Sequence, residues 1–161
     1  MTAILQPIAA TDLPSVLTLN NAHAAELSWL EPERLAQLVG ASMMAVRIGT
    51  LDAFMLTFDQ DAAYDSENFL WFKARYPRFA YVDRVVVAPQ ARGRGLARLL
   101  YQGLFARAIE AGHTLVACEV NSEPPNPGSD AFHAAMGFAE VGAAAIYGGA
   151  RSVRYYTRPL A

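Results

Sequence analysis

Two glycines and three arginines lie within one short segment of a chain that is not otherwise basic. One residue separates Gly93 from Gly95, and Arg92, Arg94 and Arg98 fall within the same seven positions. Glycine lets a ligand approach the backbone, and the first amides of a following helix bind anions, phosphate above all. Arginine guanidinium groups would add to the positive field. We therefore expect a phosphate-bearing ligand at this segment.

Two common phosphate-binding motifs do not fit the segment. A Walker A loop requires Lys and Ser or Thr, which are missing, and a dinucleotide fingerprint requires a third glycine where Arg98 stands. The pattern Gln90-x-x-Gly93-x-Gly95-Leu96-Ala97, after a valine-rich strand, instead resembles motif A of the GNAT superfamily of acyl-CoA-dependent N-acyltransferases. Further along, Asn126-Pro127 and the later Gly137-Phe138 pair resemble a second motif of that superfamily, in which Asn opens a helix that ends in Gly-Phe.

The resemblance implies acetyl-CoA as the cofactor. It also implies that the backbone of the valine-rich strand holds the pantetheine arm and that the loop amides hold the pyrophosphate. The positions it assigns to cofactor binding are Val85, Val86, Val87, Arg92, Gly93, Arg94, Gly95, Leu96, Ala97, Arg98, Asn126, Ser129, Phe132 and His133.

Acyl transfer to an amine requires a base for the amine and a proton for the departing sulfur. Asp83 stands where several superfamily members carry an acidic base, and we expect it to share a strand face with Val85 and Val87. An ion pair with Arg84 or Arg78 is the structural alternative for Asp83, and Glu119 on the next strand is a second candidate base. His133 stands where the superfamily often has a tyrosine acid, and an imidazolium could perform that task.

Three further residues bear on the chemistry. Tyr147 and Tyr156 remain possible substitutes for His133 as the acid, and His133 could instead be only a cofactor contact. Cys118 lies in the middle of a predicted strand, and we interpret it as a buried structural thiol and not as an acyl-carrying nucleophile.

The acceptor amine is expected between the loop joining the first two helices and the segment of residues 59–79. Both regions combine aromatic with polar side chains, as small-molecule sites do. The candidates for acceptor binding are Asn20, Asn21, His23, Glu26, Trp29, Asn68 and Trp71. Packing in the core is the alternative for both tryptophans, and exposure to solvent is the alternative for Glu26.

Composition excludes several other classes of protein. Thirteen basic and fifteen acidic residues leave a net charge of −2, which offers no general attraction to nucleic acid or an anionic membrane. The single cysteine forms no internal disulfide, and the three histidines lack zinc-site spacing, so no metal is expected. The chain shows neither a signal-peptide pattern nor an apolar run long enough for a membrane span, and we expect a cytoplasmic protein.

The pattern of elements predicts one α/β (α+β) domain over residues 1–161, in the order β-α-α-β-β-β-α-β-α-β-β. The sheet is expected to be mixed and mostly antiparallel, with six to seven strands and about four helices. Residues 81–120 form a strand–helix–strand unit, which predicts a parallel right-handed crossover. Residues 59–79 show little periodicity and are expected to form a long loop, of the kind that is often functional.

The leading hypothesis is an acetyl-CoA-dependent N-acetyltransferase that acts on a small amine, an amino acid or a protein amine. A non-catalytic acyl-CoA sensor on the same fold is the alternative, and a nucleotide- or RNA-binding protein that uses the arginine cluster is a distant third. A homodimer is expected only by analogy with the superfamily.

Overall fold

One seven-stranded sheet organises the chain. The computed structural model describes residues 4–25, 27–123 and 125–160. Within them the strands are β1 (Leu5–Pro7), β2 (Met44–Ile48), β3 (Ala53–Asp59), β4 (Ala80–Val87), β5 (Leu115–Glu123), β6 (Ala139–Ile146) and β7 (Arg151–Pro159). The α-helices are α1 (Leu13–Ala22), α2 (Pro32–Ala41), α3 (Glu67–Lys73), α4 (Leu96–Glu110) and α5 (Pro127–Ala135). None of these helices combines the length and apolarity needed to cross a bilayer.

The strands lie in the order β1-β2-β3-β4-β5-β7-β6. Every neighbouring pair is antiparallel except β4 and β5, which run parallel. Helix α4 connects these two parallel strands, as a crossover requires. The predicted mixed, mostly antiparallel sheet is therefore confirmed.

Two apolar clusters cover the two faces of the sheet. The first joins α4 and the end of α5 to β4 and β5, with Leu100, Tyr101 and Leu104 at its centre. Helix α4 reaches this cluster because its apolar residues recur every three to four positions. The second cluster joins α1, α2 and α3 to the opposite face, where Phe69 and Phe72 are fully buried.

Helix α3 corrects the expectation of a continuous loop over residues 59–79, and it raises the number of α-helices in the described residues from about four to five. The helix has only 7 residues, which is about two turns and too short to produce a clear apolar period. Its stability comes from tertiary packing, because Phe69 and Phe72 enter the core on the same side.

A bulge in β4 corrects the expectation that Asp83 shares a face with Val85 and Val87. Thr57 of β3 pairs with Val82, while the next residue back, Leu56, pairs with Arg84. The extra residue is Asp83, and a bulge of this kind reverses the alternation of side chains. Val82 and Val85 consequently both pack on the α4 side of the sheet. Asp83 bonds Tyr64, which packs on the opposite side.

The parallel strands β4 and β5 separate soon after they meet. Their pairing comprises only Ala80 with Val116 and Tyr81 with Ala117, although β4 continues to Val87 and β5 to Glu123. The backbone of β4 beyond Tyr81 is therefore unpaired on the side that faces β5. Exposed backbone groups of this kind can bind an extended ligand.

Candidate active site

The gap between β4 and β5 forms a cavity, which we call the strand cleft. It has a volume of about 270 Å³ and is lined by residues 82–87 of β4, residues 118–121 of β5, and side chains from α4 and α5. Val85, Val86 and Val87, which the sequence assigned to cofactor binding, all line it.

The glycine-rich loop follows β4 and ends at the first turn of α4. Gly93 and Gly95 have φ angles of +79° and +73°, a region that side chains other than glycine rarely adopt. A Cβ built on either residue would meet no atom within 4 Å, so the backbone there is open to a ligand. The first amides of α4 have no acceptor within the helix. An open backbone beside free amides fits a pyrophosphate.

The three arginines of this segment are exposed but differ in their contacts. Arg92 donates from Nη2 to Nε2 of His23, at 3.4 Å, and both residues line the strand cleft. Arg94 lies 3.6 Å from the carboxylate of Asp52. Arg98 lies in the first turn of α4. Arg92 thus links the glycine loop to the segment that follows α1, while Arg94 precedes the first turn of α4 and Arg98 lies within it.

Helix α5 forms another wall of the strand cleft. Asn126 caps it by accepting a hydrogen bond from the Ser129 amide, at 3.3 Å, so the predicted cap is confirmed. Asn126, Ser129 and His133 line the cleft. Phe132 instead packs against the apolar cluster and lies beside the Tyr101 ring.

His133 is buried and holds two short hydrogen bonds. Its Nδ1 lies 2.7 Å from the Ser129 carbonyl oxygen, which can only accept, so Nδ1 carries a hydrogen. Its Nε2 lies 2.7 Å from the Tyr101 hydroxyl. Burial lowers the pKa of His133, against smaller opposing effects of Ser129 and Asp130. The neutral ring therefore accepts the Tyr101 hydrogen at Nε2.

A second, smaller cavity adjoins the strand cleft, and we call it the loop chamber. Its volume is about 70 Å³. Its walls come from the α1–α2 connection, the segment before β4, the middle of β4, the second half of β5, and the β6–β7 hairpin. Asp83, Arg84 and Glu119 line both cavities, so the cavities meet at two carboxylates.

Asp83 is held in an ion pair, as the structural alternative expected. Arg84 donates from Nε to Oδ2 at 2.7 Å, and their side chains are 5% and 4% exposed. Tyr64 donates to Oδ1 at 2.6 Å. Arg84 also donates to Asn20 Oδ1 at 2.9 Å and to Ser28 Oγ at 3.3 Å, which ties the β4 bulge to the α1–α2 connection.

Among the residues that the structure describes, Glu119 forms no ion pair with a cation, and it sits between polar donors. The Tyr81 hydroxyl reaches Oε1 at 2.9 Å and Oε2 at 2.8 Å, and Asn68 donates from Nδ2 to Oε1 at 3.1 Å. Removal from water and the neighbouring negative charge of Asp83 raise the pKa of Glu119 to about 8, although these hydrogen bonds act in the opposite direction. A carboxyl group with such a pKa is suited to taking up a proton near neutral pH.

Of the six acceptor candidates that the structure describes, two line a cavity. His23 lines the strand cleft, and Asn68 lines the loop chamber, where it also accepts from the Tyr155 hydroxyl at 2.8 Å. Glu26 lies outside the described residues.

The other candidates have structural contacts or face solvent. Asn20 and Asn21 bond Ser28 and Leu30 and thereby shape the α1–α2 connection. Trp71 stacks on Tyr155 with ring centroids 4.2 Å apart. Trp29 is 64% exposed.

Sequence reasoning missed the tyrosines that surround these groups. Tyr64, Tyr81 and Tyr101 contact Asp83, Glu119 and His133 respectively. Each pair is separated by at least 19 positions in the chain, so no local motif connects the partners. The alternation of side chains along β4 and β5 was the available signal, because it places Tyr81 and Glu119 on one face of neighbouring strands.

A parallel strand pair that opens beside a glycine-rich helix start, with the carboxylates of Asp83 and Glu119 lining the opening, is typical of one class of protein: the acetyltransferases that bind an acyl-CoA between their strands. A family model described as the Acetyltransferase (GNAT) family matches residues 24–138. The chain therefore belongs to the GNAT family, and the family identified from the sequence is confirmed. No curated protein matches the chain significantly.

Solved structures share the fold across almost the whole chain. The ribosomal-protein-S18-alanine N-acetyltransferase from Escherichia coli is 19% identical, with a TM-score of 0.74 over 99% of this chain and 95% of that one. A phosphinothricin acetyltransferase from Sinorhizobium meliloti, in complex with AcCoA, is 21% identical with a TM-score of 0.74 over 99% and 89%. The yncA protein from Salmonella typhimurium, with its cofactor acetyl-CoA, is 18% identical with a TM-score of 0.71 over 100% and 95%.

Proposed function

We propose that this protein is an N-acetyltransferase that transfers an acetyl group from acetyl-CoA directly to a primary amine bound at the same time. The observation that carries the proposal is the meeting of the two cavities at Glu119 and Asp83. One cavity has the open strand edge and glycine loop of an acyl-CoA site. The other offers a separate polar space, so that both substrates could be bound together.

The residues present fit the cofactor. The amides after Gly93 and Gly95 would hold the pyrophosphate, and the unpaired edge of residues 82–87 would hold the pantetheine arm. Bound acetyl-CoA would supply an acetyl group that is activated as a thioester. Cys118 does not suggest a covalent intermediate, because burial and the nearby Glu119 raise its pKa well above the ordinary value and keep the thiol protonated.

Glu119 is the better supported base. Its pKa of about 8 leaves a useful fraction ionised at neutral pH, while its affinity for a proton is high enough to deprotonate an amine. Asp83 has both oxygens occupied, by Arg84 and by Tyr64. We assign Asp83 the role of raising the proton affinity of Glu119 by its negative charge.

We assign to Tyr101, together with His133, the donation of a proton to the departing sulfur of CoA. Protonated at Nε2, His133 would donate to the Tyr101 oxygen, and the phenolic hydrogen would then turn into the strand cleft. This arrangement becomes more populated as the pH falls, and the lowered pKa of His133 moves that change to more acidic pH. His133→Phe should therefore lower kcat and remove the acidic contribution to its pH profile. An unchanged profile would contradict the assignment.

A catalytically inactive acyl-CoA sensor on the same fold is the alternative, and turnover separates the two. The test measures release of free CoA thiol from acetyl-CoA over a panel of primary amines, alongside the rise in Tm that acetyl-CoA produces by mass action. The transferase predicts both signals. Tight binding without turnover of any amine would favour the sensor.

Gly95→Glu tests where the cofactor binds. A carboxylate at that point would fill the open backbone and repel the pyrophosphate, so the Tm rise with acetyl-CoA should disappear. Gly40→Glu is the matched control, because Gly40 lies in α2 with no atom within 4 Å of a built Cβ and lines neither cavity. Unchanged acetyl-CoA binding by Gly95→Glu would show that the loop is not the cofactor site.

A further inference from the structure

Side-chain bonds tie the walls of the loop chamber to one another. Arg151, at the start of β7, donates from Nη2 to the Ala25 carbonyl oxygen at 2.7 Å and so joins the β6–β7 hairpin to the α1–α2 connection. The Tyr147 amide donates to Glu67 Oε2 at 3.0 Å, which joins the hairpin to α3. With the bond from Arg84 to Ser28, the α1–α2 connection, the hairpin, α3 and β4 are all linked.

The space inside these walls is small and polar. A volume of about 70 Å³ holds roughly five water-sized positions. Apart from the shared carboxylates, its lining includes Ser66, Asn68 and Asn121. Such a space accommodates an amine with a few heavy atoms and polar substituents.

A polypeptide acceptor makes a different demand on the chamber. Its chain continues at about 3.3 to 3.6 Å per residue, so the second residue would already have to leave the chamber. The bridge from Arg151 to Ala25 joins the β6–β7 hairpin to the α1–α2 connection, and a chain that left the chamber between these two walls would meet it. Passage would break a hydrogen bond made by a charged group, which costs about tenfold to a hundredfold in affinity.

We propose that the acceptor is a small, free, polar primary amine, such as a free amino acid, and that the bridge from Arg151 to Ala25 excludes the N-termini of polypeptides. The inference rests on the proposed function and narrows it from amines in general to one class. Arg151 is then a specificity-determining residue that selects acceptors by the length of their chain.

The experiment compares acceptors that share their reacting end. Each standard amino acid is offered as the free amino acid and as the first residue of a tetrapeptide, together with short aliphatic diamines, and the release of CoA thiol is followed. Calorimetry then measures binding of the best free amine and of its tetrapeptide to the protein without acetyl-CoA. We expect kcat/KM for the best free amine to exceed that for its tetrapeptide by about tenfold or more, with the same ranking in binding.

Arg151→Ala should weaken this discrimination by raising kcat/KM for the tetrapeptide relative to the free amine about tenfold. Arg107→Ala is the matched control, because Arg107 is exposed on α4 and lines neither cavity, and it should leave the ratio unchanged. The comparison of free amines with tetrapeptides in the wild-type protein requires no variant. It therefore still tests the proposal if Arg151→Ala fails to fold.

The possible results separate the two levels of inference. A wild-type preference for tetrapeptides, or an Arg151→Ala variant that affects both lengths equally, would overturn the proposed selectivity while leaving the transferase intact. A protein that binds acetyl-CoA and acetylates no acceptor of either length would contradict the proposed function itself, and this inference with it.

Discussion

The strand cleft and the loop chamber share five lining residues, among them Asp83, Arg84 and Glu119, yet they are assembled in different ways. Most of the cleft comes from two stretches of chain, residues 82–92 and 118–133, each continuous along a strand and toward the helix after it. The chamber draws on five segments that lie far apart in the sequence, and side-chain bonds between several of those segments hold it together.

The sequence therefore determines the two cavities in different ways. Backbone geometry forms the cleft, and glycines, a cap and a strand that loses its partner are all local features. Packing forms the chamber, and side chains from distant elements must meet there. Variants of the chamber should therefore change the chemistry and selectivity while leaving acetyl-CoA binding intact, and variants of the cleft should do the reverse.

Glu119→Gln should have the largest effect. The amide cannot take up a proton, so kcat/KM should fall by about a hundredfold or more. The rise in Tm with acetyl-CoA should persist, because the glycine loop is untouched. In the wild-type protein kcat/KM should increase with pH through about 8, because the base works only when it is ionised. If kcat/KM of the Glu119→Gln variant still rose with pH through about 8, another group would be the base.

The same carboxyl group should affect folding in a predictable direction. The pKa of Glu119 is about 8 in the folded protein against an ordinary value of 4.5, so the folded state holds an extra proton between these limits. Its contribution to the free energy of unfolding is therefore fully present below pH 4.5 and is lost as the pH rises through 8. Chemical denaturation at several pH values should show this decline in the wild type and a flatter profile in Glu119→Gln.

Gly142→Ala tests the long-range packing of α3 against β6 and β7. A Cβ at Gly142 of β6 would overlap the indole ring of Trp71, which stacks on Tyr155. We expect the free energy of unfolding to fall by about 1 to 3 kcal/mol through overpacking. Gly40→Ala is the control with the opposite sign, since it has free space in a helix and alanine favours helix by about 1 kcal/mol. Equal Tm values for the two variants would contradict the packing of Trp71.

The residues of the two cavities explain what sequence reasoning could and could not predict. Gly93, Gly95 and Asn126 reveal themselves through their immediate neighbours, and the structure agrees with the expected turn and cap. Asp83 was placed on the wrong face because one extra residue in β4 reverses the alternation, and nothing local in the sequence marks it.

Helix α3 was missed for a related reason. Its two turns are stabilised by contacts of Phe69 and Phe72 with distant strands and not by intrinsic preference. Asn68, which reaches Glu119 from this helix, was therefore named as an acceptor contact without any sign that it bonds the candidate base.

Asp83→Asn tests the separate roles of the two carboxylates, with Glu119 as the base and Asp83 as the charge that raises its proton affinity. Loss of the negative charge should lower the pKa of Glu119 and move the rising limb of kcat/KM to lower pH, by about one unit. Tyr64→Phe is the control, because it removes the hydrogen bond to Asp83 and keeps the charge. If activity were instead lost at every pH and kcat/KM still rose over the same pH range, Asp83 would be favoured as the base.

Asn126→Ala should have the smallest effect, and it tests the cleft side of the comparison. Removing the cap leaves the Ser129 amide without its acceptor and should cost about 1 kcal/mol of stability. Because Asn126 and Ser129 line the strand cleft, loosening the first turn of α5 should also raise the KM for acetyl-CoA a few-fold while the KM for the amine stays constant. Asn126→Asp preserves the cap and should restore both values. A change confined to the KM for the amine would mean that α5 serves the chamber, and the separation of the two cavities by their mode of assembly would then fail at its simplest point.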